Sequence, residues 1–155
     1  MTGRKLLVAF AGCVLGGMVA LAADDPFMGT WKLNAAKSKI GAGAATNNTV
    51  VYAAAGDSVK VTVDGVDGSG KPSHSEWTGK FDGKDYPVTG DASADMRSYT
   101  KVNDKTLSFS QTKGGKVILS GKIVISADGK SRTVTTETTT ADGKKVASTV
   151  VYDKQ

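Results

Sequence analysis

The chain is poor in the residues that usually announce chemistry: among 155 residues there is one cysteine, one histidine and three prolines, and only 6% are aromatic. The cysteine, Cys13, falls inside an N-terminal apolar run. If that run is removed, disulfides, thiolate nucleophiles and cysteine-ligated metals are excluded together. A sustained helical period is lacking after residue 22. No basic stripe interleaved with aromatics appears either, which speaks against nucleic-acid binding.

The N-terminus carries a positive pair, Arg4 and Lys5, followed by an uncharged run from Leu6 to Leu21 that Gly12, Gly16 and Gly17 interrupt. The run is short for a membrane span and ends in the small-residue signature Ala20-Leu21-Ala22, with charge resuming at Asp24. This pattern predicts a signal peptide over 1–22, cleaved after Ala22, with Ala23 as the neighbouring choice and an uncleaved anchor as the alternative. Phe10-Ala11-Gly12 before Cys13 faintly resembles a lipoprotein-processing site, but it would leave a hydrophobic region of only about six residues ahead of the thiol. Removing the leader lowers the formal charge from +5 to +3, with 18 basic residues against 15 acidic. Residues 23–155 then form one domain, in the periplasm or secreted, with no integral membrane segment and room for a genuine core.

Along that domain the dominant signal is alternation with period two. Val59, Val61 and Val63 alternate with Lys60, Thr62 and Asp64, and Leu107 and Phe109 with Thr106, Ser108 and Ser110. Val117, Leu119, Ile123 and Ile125 read as one face of a longer strand. Asp82-Gly83, Gly114-Gly115, Asp128-Gly129 and Asp142-Gly143 supply the positive backbone angles of tight hairpins. Strands are predicted near 28–33, 48–54, 58–64, 73–81, 84–88, 95–102, 105–112, 116–126, 130–139 and 144–152. The fold class is therefore all-β: an antiparallel up-and-down meander that hides its edges by closing into a barrel of about 8–10 strands. Asn34 to Asn47 reads as loop, with one short helical turn at Ala35-Ala36-Lys37.

Three strings resemble functional motifs. Gly65-Val66-Asp67-Gly68-Ser69-Gly70-Lys71 has the glycine and lysine spacing of a phosphate-binding loop, but Pro72 stands where the metal-binding hydroxyl belongs and a strand follows instead of a helix. Asp64 and Asp67 lack the alternating oxygen ligands and closing Glu of a calcium loop, so no metal is expected. His74 shares a strand face with Glu76, opposite Trp77, Gly79 and Phe81, which puts it on the solvated side with no paired nucleophile. No catalytic constellation is visible, and no cofactor is called for.

Candidate ligand contacts are the residues that alternation turns inward: Trp31, Tyr52, Val61, Trp77, Phe81 and Phe109, within a core that adds Leu107, Leu119 and Ile123. Arg97 and Tyr99, two apart on one strand, join them as an anion anchor if they face in; the opposite face, with Met96, Ser98, Thr100 and Val102, competes for the core.

Phe27-Met28-Gly29-Thr30-Trp31-Lys32-Leu33 resembles the first strand of lipocalins and intracellular fatty-acid-binding proteins, whose Gly-x-Trp lays an indole across one end of the barrel. The final strand, Thr149 to Lys154, is similar to the fatty-acid-binding branch. With Asp82-Gly83-Lys84-Asp85-Tyr86-Pro87-Val88-Thr89-Gly90 in the middle, the whole resembles small secreted bacterial lipocalin-like proteins. The two-helix lid and the last-strand Arg-x-Tyr of fatty-acid-binding proteins are missing, as are the C-terminal helix and disulfide of lipocalins. The resemblance implies a barrel that binds or carries a small hydrophobic or amphipathic molecule. The alternative is a ligand-free periplasmic structural or protein-interaction module.

Overall fold

The computed structural model describes residues 25–155; the expected signal peptide over 1–22, with Cys13, lies outside them. Ten strands follow one another: β1 (Gly29–Lys39), β2 (Thr46–Ala55), β3 (Ser58–Val66), β4 (Pro72–Gly79), β5 (Tyr86–Thr89), β6 (Met96–Asn103), β7 (Thr106–Lys113), β8 (Lys116–Ile125), β9 (Ser131–Thr139) and β10 (Lys145–Lys154). Each pairs antiparallel with its neighbour in sequence, and β1 pairs with β10 to close the barrel. The expected meander is what forms, because alternating residues give each strand one apolar face and the tight turns enforce pairing in sequence order. Gly129 and Gly143 show the reason at the turns: their φ angles of 71° and 80° follow Asp128 and Asp142, whose carboxylates accept hydrogen bonds from within the same turns.

Two expectations need correction. The first part of the predicted loop, including its helical turn, is strand: β1 continues to Lys39, with a register shift between Asn34 and Lys39 that loops out the residues between, and loop follows only over residues 40–45. Side chains hold the bulge. Ser38 Oγ donates to the Asn34 carbonyl at 2.7 Å and accepts from Val151 N–H at 2.9 Å, while Asn34 Oδ1 accepts from Lys37 N–H at 3.2 Å. The second correction is in β8, where a shift skips Ile118: Leu119 pairs with Gln111, and Val117 with Thr112. That extra residue reverses the alternation, so Val117 stands outside at 53% exposure and does not share the face of Ile123 and Ile125. Leu119, expected in the core, is half-buried.

The turns between β2 and β3, β4 and β5, β6 and β7, and β8 and β9 gather at one end of the barrel, where residues 25–28 also enter. The remaining turns gather at the other. Phe27, Trp31, Tyr52, Val61, Trp77, Tyr99, Leu107 and Tyr152 are buried toward the first end, with Phe27, Trp31, Val61 and Leu107 wholly so. β5 is the short member, joined to β4 and to β6 by two residue pairs each.

Candidate functional site

Alternation along β2, β4 and β6 turns Tyr52, Trp77 and Tyr99 into the barrel, and their rings meet. Tyr99 lies edge-on to Trp77 with centroids 4.8 Å apart and to Tyr52 at 6.2 Å, and stacks on Phe109 at 5.7 Å. Phe81 stacks on Trp77 at 6.5 Å and meets Phe27 edge-on at 6.2 Å. Both indole N–H groups are satisfied by carbonyls: Trp31 donates to Phe27 and Trp77 to Arg97. Gly79 completes the packing, since a Cβ there would come within 2.6 Å of the Trp77 and Tyr86 rings. The sequence's candidates are thus brought together, but as a filled column: Trp31, Tyr52, Val61, Trp77 and Tyr99 are buried against one another, and only Phe81 and Phe109 remain half-buried.

The open question of β6 resolves inward. Arg97 is 5% exposed beside Tyr99, whereas Thr100 and Val102 on the other face are exposed. The Arg97 guanidinium is already occupied: Gln111, its amide oxygen turned toward the cation, accepts from Nε at 2.9 Å and Nη2 at 2.7 Å, and Asp91 Oδ2 lies 3.8 Å from Nη2.

A second inward arginine was not foreseen. Arg132, on β9 opposite Tyr152, is 2% exposed, and its Cζ lies over the rings of Trp31, Tyr52 and Tyr152 at 4.8, 5.0 and 4.8 Å. Cation–π contacts of this kind are worth about 2 kcal/mol when desolvated, against a penalty of several kcal/mol for a buried ion. The rings therefore offset the burial of charge without satisfying the N–H groups, and Nε and Nη1 have no hydrogen-bond partner. The phenols alongside provide no counter-charge. Burial pushes the Tyr52 hydroxyl far above its ordinary range, Tyr99 adds to this and Arg132 opposes it; Tyr152 is pushed up to about 12 by burial, again opposed by Arg132. The signal for Arg132 in the sequence is its two-residue offset from Val134, obscured because Thr133, Thr135, Thr136 and Thr138 put threonine on both faces.

A cavity of about 240 Å³ opens at the aromatic end, floored by Met28, Val59 and Phe81, with exposed Ala54 at its mouth, and rimmed by Asp25, Asp57, Ser58, Lys80 and Lys101. Its charges are paired, Lys80 with Asp57 at 2.8 Å and Lys101 with Asp25 at 3.5 Å. A second hollow, about 460 Å³ and widely open, lies on the outer wall over Phe109 and Gly121, among Ser120, Lys122 and Glu137.

The motif-like strings have structural roles. Asp67 Oδ1 accepts from Ser69 N–H, Ser69 Oγ and Lys71 N–H, so the glycine-rich segment is a hairpin turn. His74 is exposed on the outer wall with its Nδ1 2.6 Å from Asp64 and its Nε2 3.7 Å from Glu76. No group of three or more metal-ligating side chains occurs among the described residues.

Two solved structures align with the chain. One, of EF1p2_mFAP2b bound to DFHBI, aligns with a TM-score of 0.50 at 11% identity, over 84% of this chain and 94% of that one. The other, of a redesigned β-barrel, mFAP1, bound to DFHBI, gives 0.39 at 17% identity, over 81% and 94%. No protein-family model and no curated protein matches the chain. The first likeness, at 11% identity, carries the fold alone, a closed β-barrel.

Proposed function

We propose that this chain is an exported barrel, of the kind found in small secreted bacterial lipocalin-like proteins, that binds a small hydrophobic or amphipathic molecule at its aromatic end. The observation that carries the reading is the 240 Å³ cavity with an apolar floor and a charged rim. Its size lies below the roughly 300–1,000 Å³ of sites for drug-sized ligands, so the molecule is compact. Beneath it the rings of Trp77, Phe81 and Tyr99 pack against one another, which favours a short molecule over a long lipid chain. That a barrel of similar architecture, EF1p2_mFAP2b, is bound to DFHBI supports binding as a use of the fold. The leader at 1–22 supports export.

The test is to produce the full chain in a bacterial host, sequence the N-terminus of the exported form and examine it by native mass spectrometry for a co-purifying molecule. Cleavage after Ala22 and a stoichiometric compound support the reading. A fluorescent apolar probe should bind at least tenfold more weakly to Ala54→Trp, which fills the cavity mouth. An exported protein that is empty and binds no probe is instead a ligand-free structural or interaction module.

A further inference from the structure

The barrel has no thiol to meet an oxidant first, since Cys13 is the only cysteine in the sequence and lies outside the described residues. Besides the thioethers of Met28 and Met96, its oxidisable side chains are two indoles and four phenols. Both indoles and three of the phenols are buried; the fourth, Tyr86, is half-buried at the surface. A neutral phenol gives up an electron readily only when its proton leaves at the same time, so a base within hydrogen-bond reach decides where oxidation comes to rest.

Tyr86 has that base. Its hydroxyl donates to Asp82 Oδ2 at 2.8 Å, and Asp82 is held ionised, its carboxyl below the usual carboxylate range chiefly through the hydrogen bond from Lys84 N–H. The buried phenols are placed differently. Tyr99 stands beside Tyr52 and Asn47 beside Tyr152, and neither neighbour takes a proton near neutral pH.

The interior is wired to this site by contact. Trp77 meets Tyr86 edge-on with centroids 5.7 Å apart and Tyr99 at 4.8 Å. Gly79 keeps indole and phenol together, because a Cβ there would come within 2.6 Å of both rings. Trp77 Nε1 donates to the Arg97 carbonyl, an acceptor that does not take the proton, so an indole radical cation formed there stays a strong oxidant towards its neighbour. On the far side of the column the Arg132 guanidinium lies over Trp31, Tyr52 and Tyr152, where a fixed positive charge opposes the creation of another. The charge of Arg97 is faced by Asp91. Electron vacancies are therefore driven away from the Arg132 rings and towards Trp77.

We propose that Tyr86 is a reactive site for one-electron oxidants and that Trp77 passes to it the electron vacancies that form in the aromatic column. The oxidant gains one electron, the Tyr86 O–H bond breaks, its proton passes to Asp82 Oδ2, and a neutral phenoxyl radical remains at the surface. When the vacancy starts on Trp77, the indole radical cation is the oxidant: it recovers its electron from Tyr86 and returns to intact indole with its N–H still on the Arg97 carbonyl. This activity is independent of any molecule held in the cavity.

The experiment generates tris(bipyridine)ruthenium(III) with light and persulfate in the presence of the exported protein. Freeze-quenched samples are read by electron paramagnetic resonance, with ring-deuterated tyrosine to identify the radical, and peptide mass spectrometry locates the lasting oxidation products. A tyrosyl signal should form, and Tyr86→Phe, which keeps the ring, should remove it. Trp77, spared in the unaltered protein, should then become the main oxidised indole. Asp82→Asn, which still accepts from Lys84 N–H but takes no proton, should lower the tyrosyl yield by about tenfold or more. If that variant does not fold, the products mapped in the unaltered protein and in Tyr86→Phe decide. A tyrosyl signal that survives Tyr86→Phe, or products spread over Tyr52, Tyr99 and Tyr152, overturns the proposal. Oxidation of Trp77 to the same extent with and without the Tyr86 hydroxyl overturns the relay, and a full tyrosyl yield in folded Asp82→Asn overturns the proton step that selects Tyr86.

Discussion

The two ends of the barrel are built from different chemistry. Toward the end where residues 25–28 enter, indole and phenol rings fill the interior, with Leu107 and Val61 sealed between them. Toward the other, the inward positions of the same strands carry Ser75, Gln111, Thr136, Thr138 and Ser148, and order comes from hydrogen bonds: Ser148 Oγ accepts from Gly41 N–H at 2.9 Å, and the turn after β5 tucks Ala94 inside while Asp91 faces Arg97. One end is held by area removed from water, and the other adds hydrogen bonds such as those of Ser148 and Gln111. The two arginines follow the division. The one among hydroxyls and amides is satisfied, and the one among rings is not.

Substitution should break this comparison most visibly at the packed end. Leu107→Ala should lower unfolding free energy in urea titrations by about 2–5 kcal/mol, since it opens a cavity in a rigid surround; Leu119→Ala, at a half-buried site nearer the other end, should produce a clearly smaller loss. Equal losses would mean that the ends do not differ in packing. Alkali gives the next effect. Tyr152 holds its proton to about 12 in the folded barrel against 10.0 for the unperturbed side chain. Its contribution is therefore fully present below pH 10 and is lost as pH rises toward 12, a change of about 3 kcal/mol. Stability curves between pH 9 and 12 should show this slope, and Tyr152→Phe should remove that share of it.

At the polar end, Ser148→Ala should lower stability by only about 1 kcal/mol, the net worth of one hydrogen bond, read by the same titration. The smallest effect lies on the outer wall. His74 should titrate above its ordinary 6.5 by NMR, chiefly through its hydrogen bond with Asp64, and Asp64→Asn should bring it back down. What this pair contributes is present in acid and fades as the pH rises through the raised value.

Most of the strands were legible because each has one apolar face and the intervening turns, except that between β6 and β7, contain Gly with positive φ, so both alternation and pairing order were written locally. The two misreadings have a common origin. Bulges at Asn34–Lys39 and Ile118 are settled by partners on the neighbouring strand, Val151 for one and Gln111 and Thr112 for the other, and no local pattern records a partner. The inward turn of Arg97 was undecided for a related reason: Met96, Ser98, Thr100 and Val102 compete with Arg97 and Tyr99 for the core on pattern alone, and only Gln111, Asp91 and the Trp77 ring make the inward choice stable. Arg132 escaped because a threonine-rich strand hides which face is which. The candidate contacts were legible as inward residues but not as a filled column, since ring-on-ring packing depends on distances across the barrel.

The four-residue β5 has a consequence for timing. A ring of ten strands opens where its clasp is weakest, and here Tyr86–Thr89 holds each neighbour by two residue pairs, with Pro87 contributing no amide proton. Amide exchange should be fastest along this seam and slowest in β9 and β10, whose pairing runs unbroken over nine positions. Trp77 and Phe81 stand directly behind the clasp, so its opening rate sets the pace at which the aromatic interior rearranges.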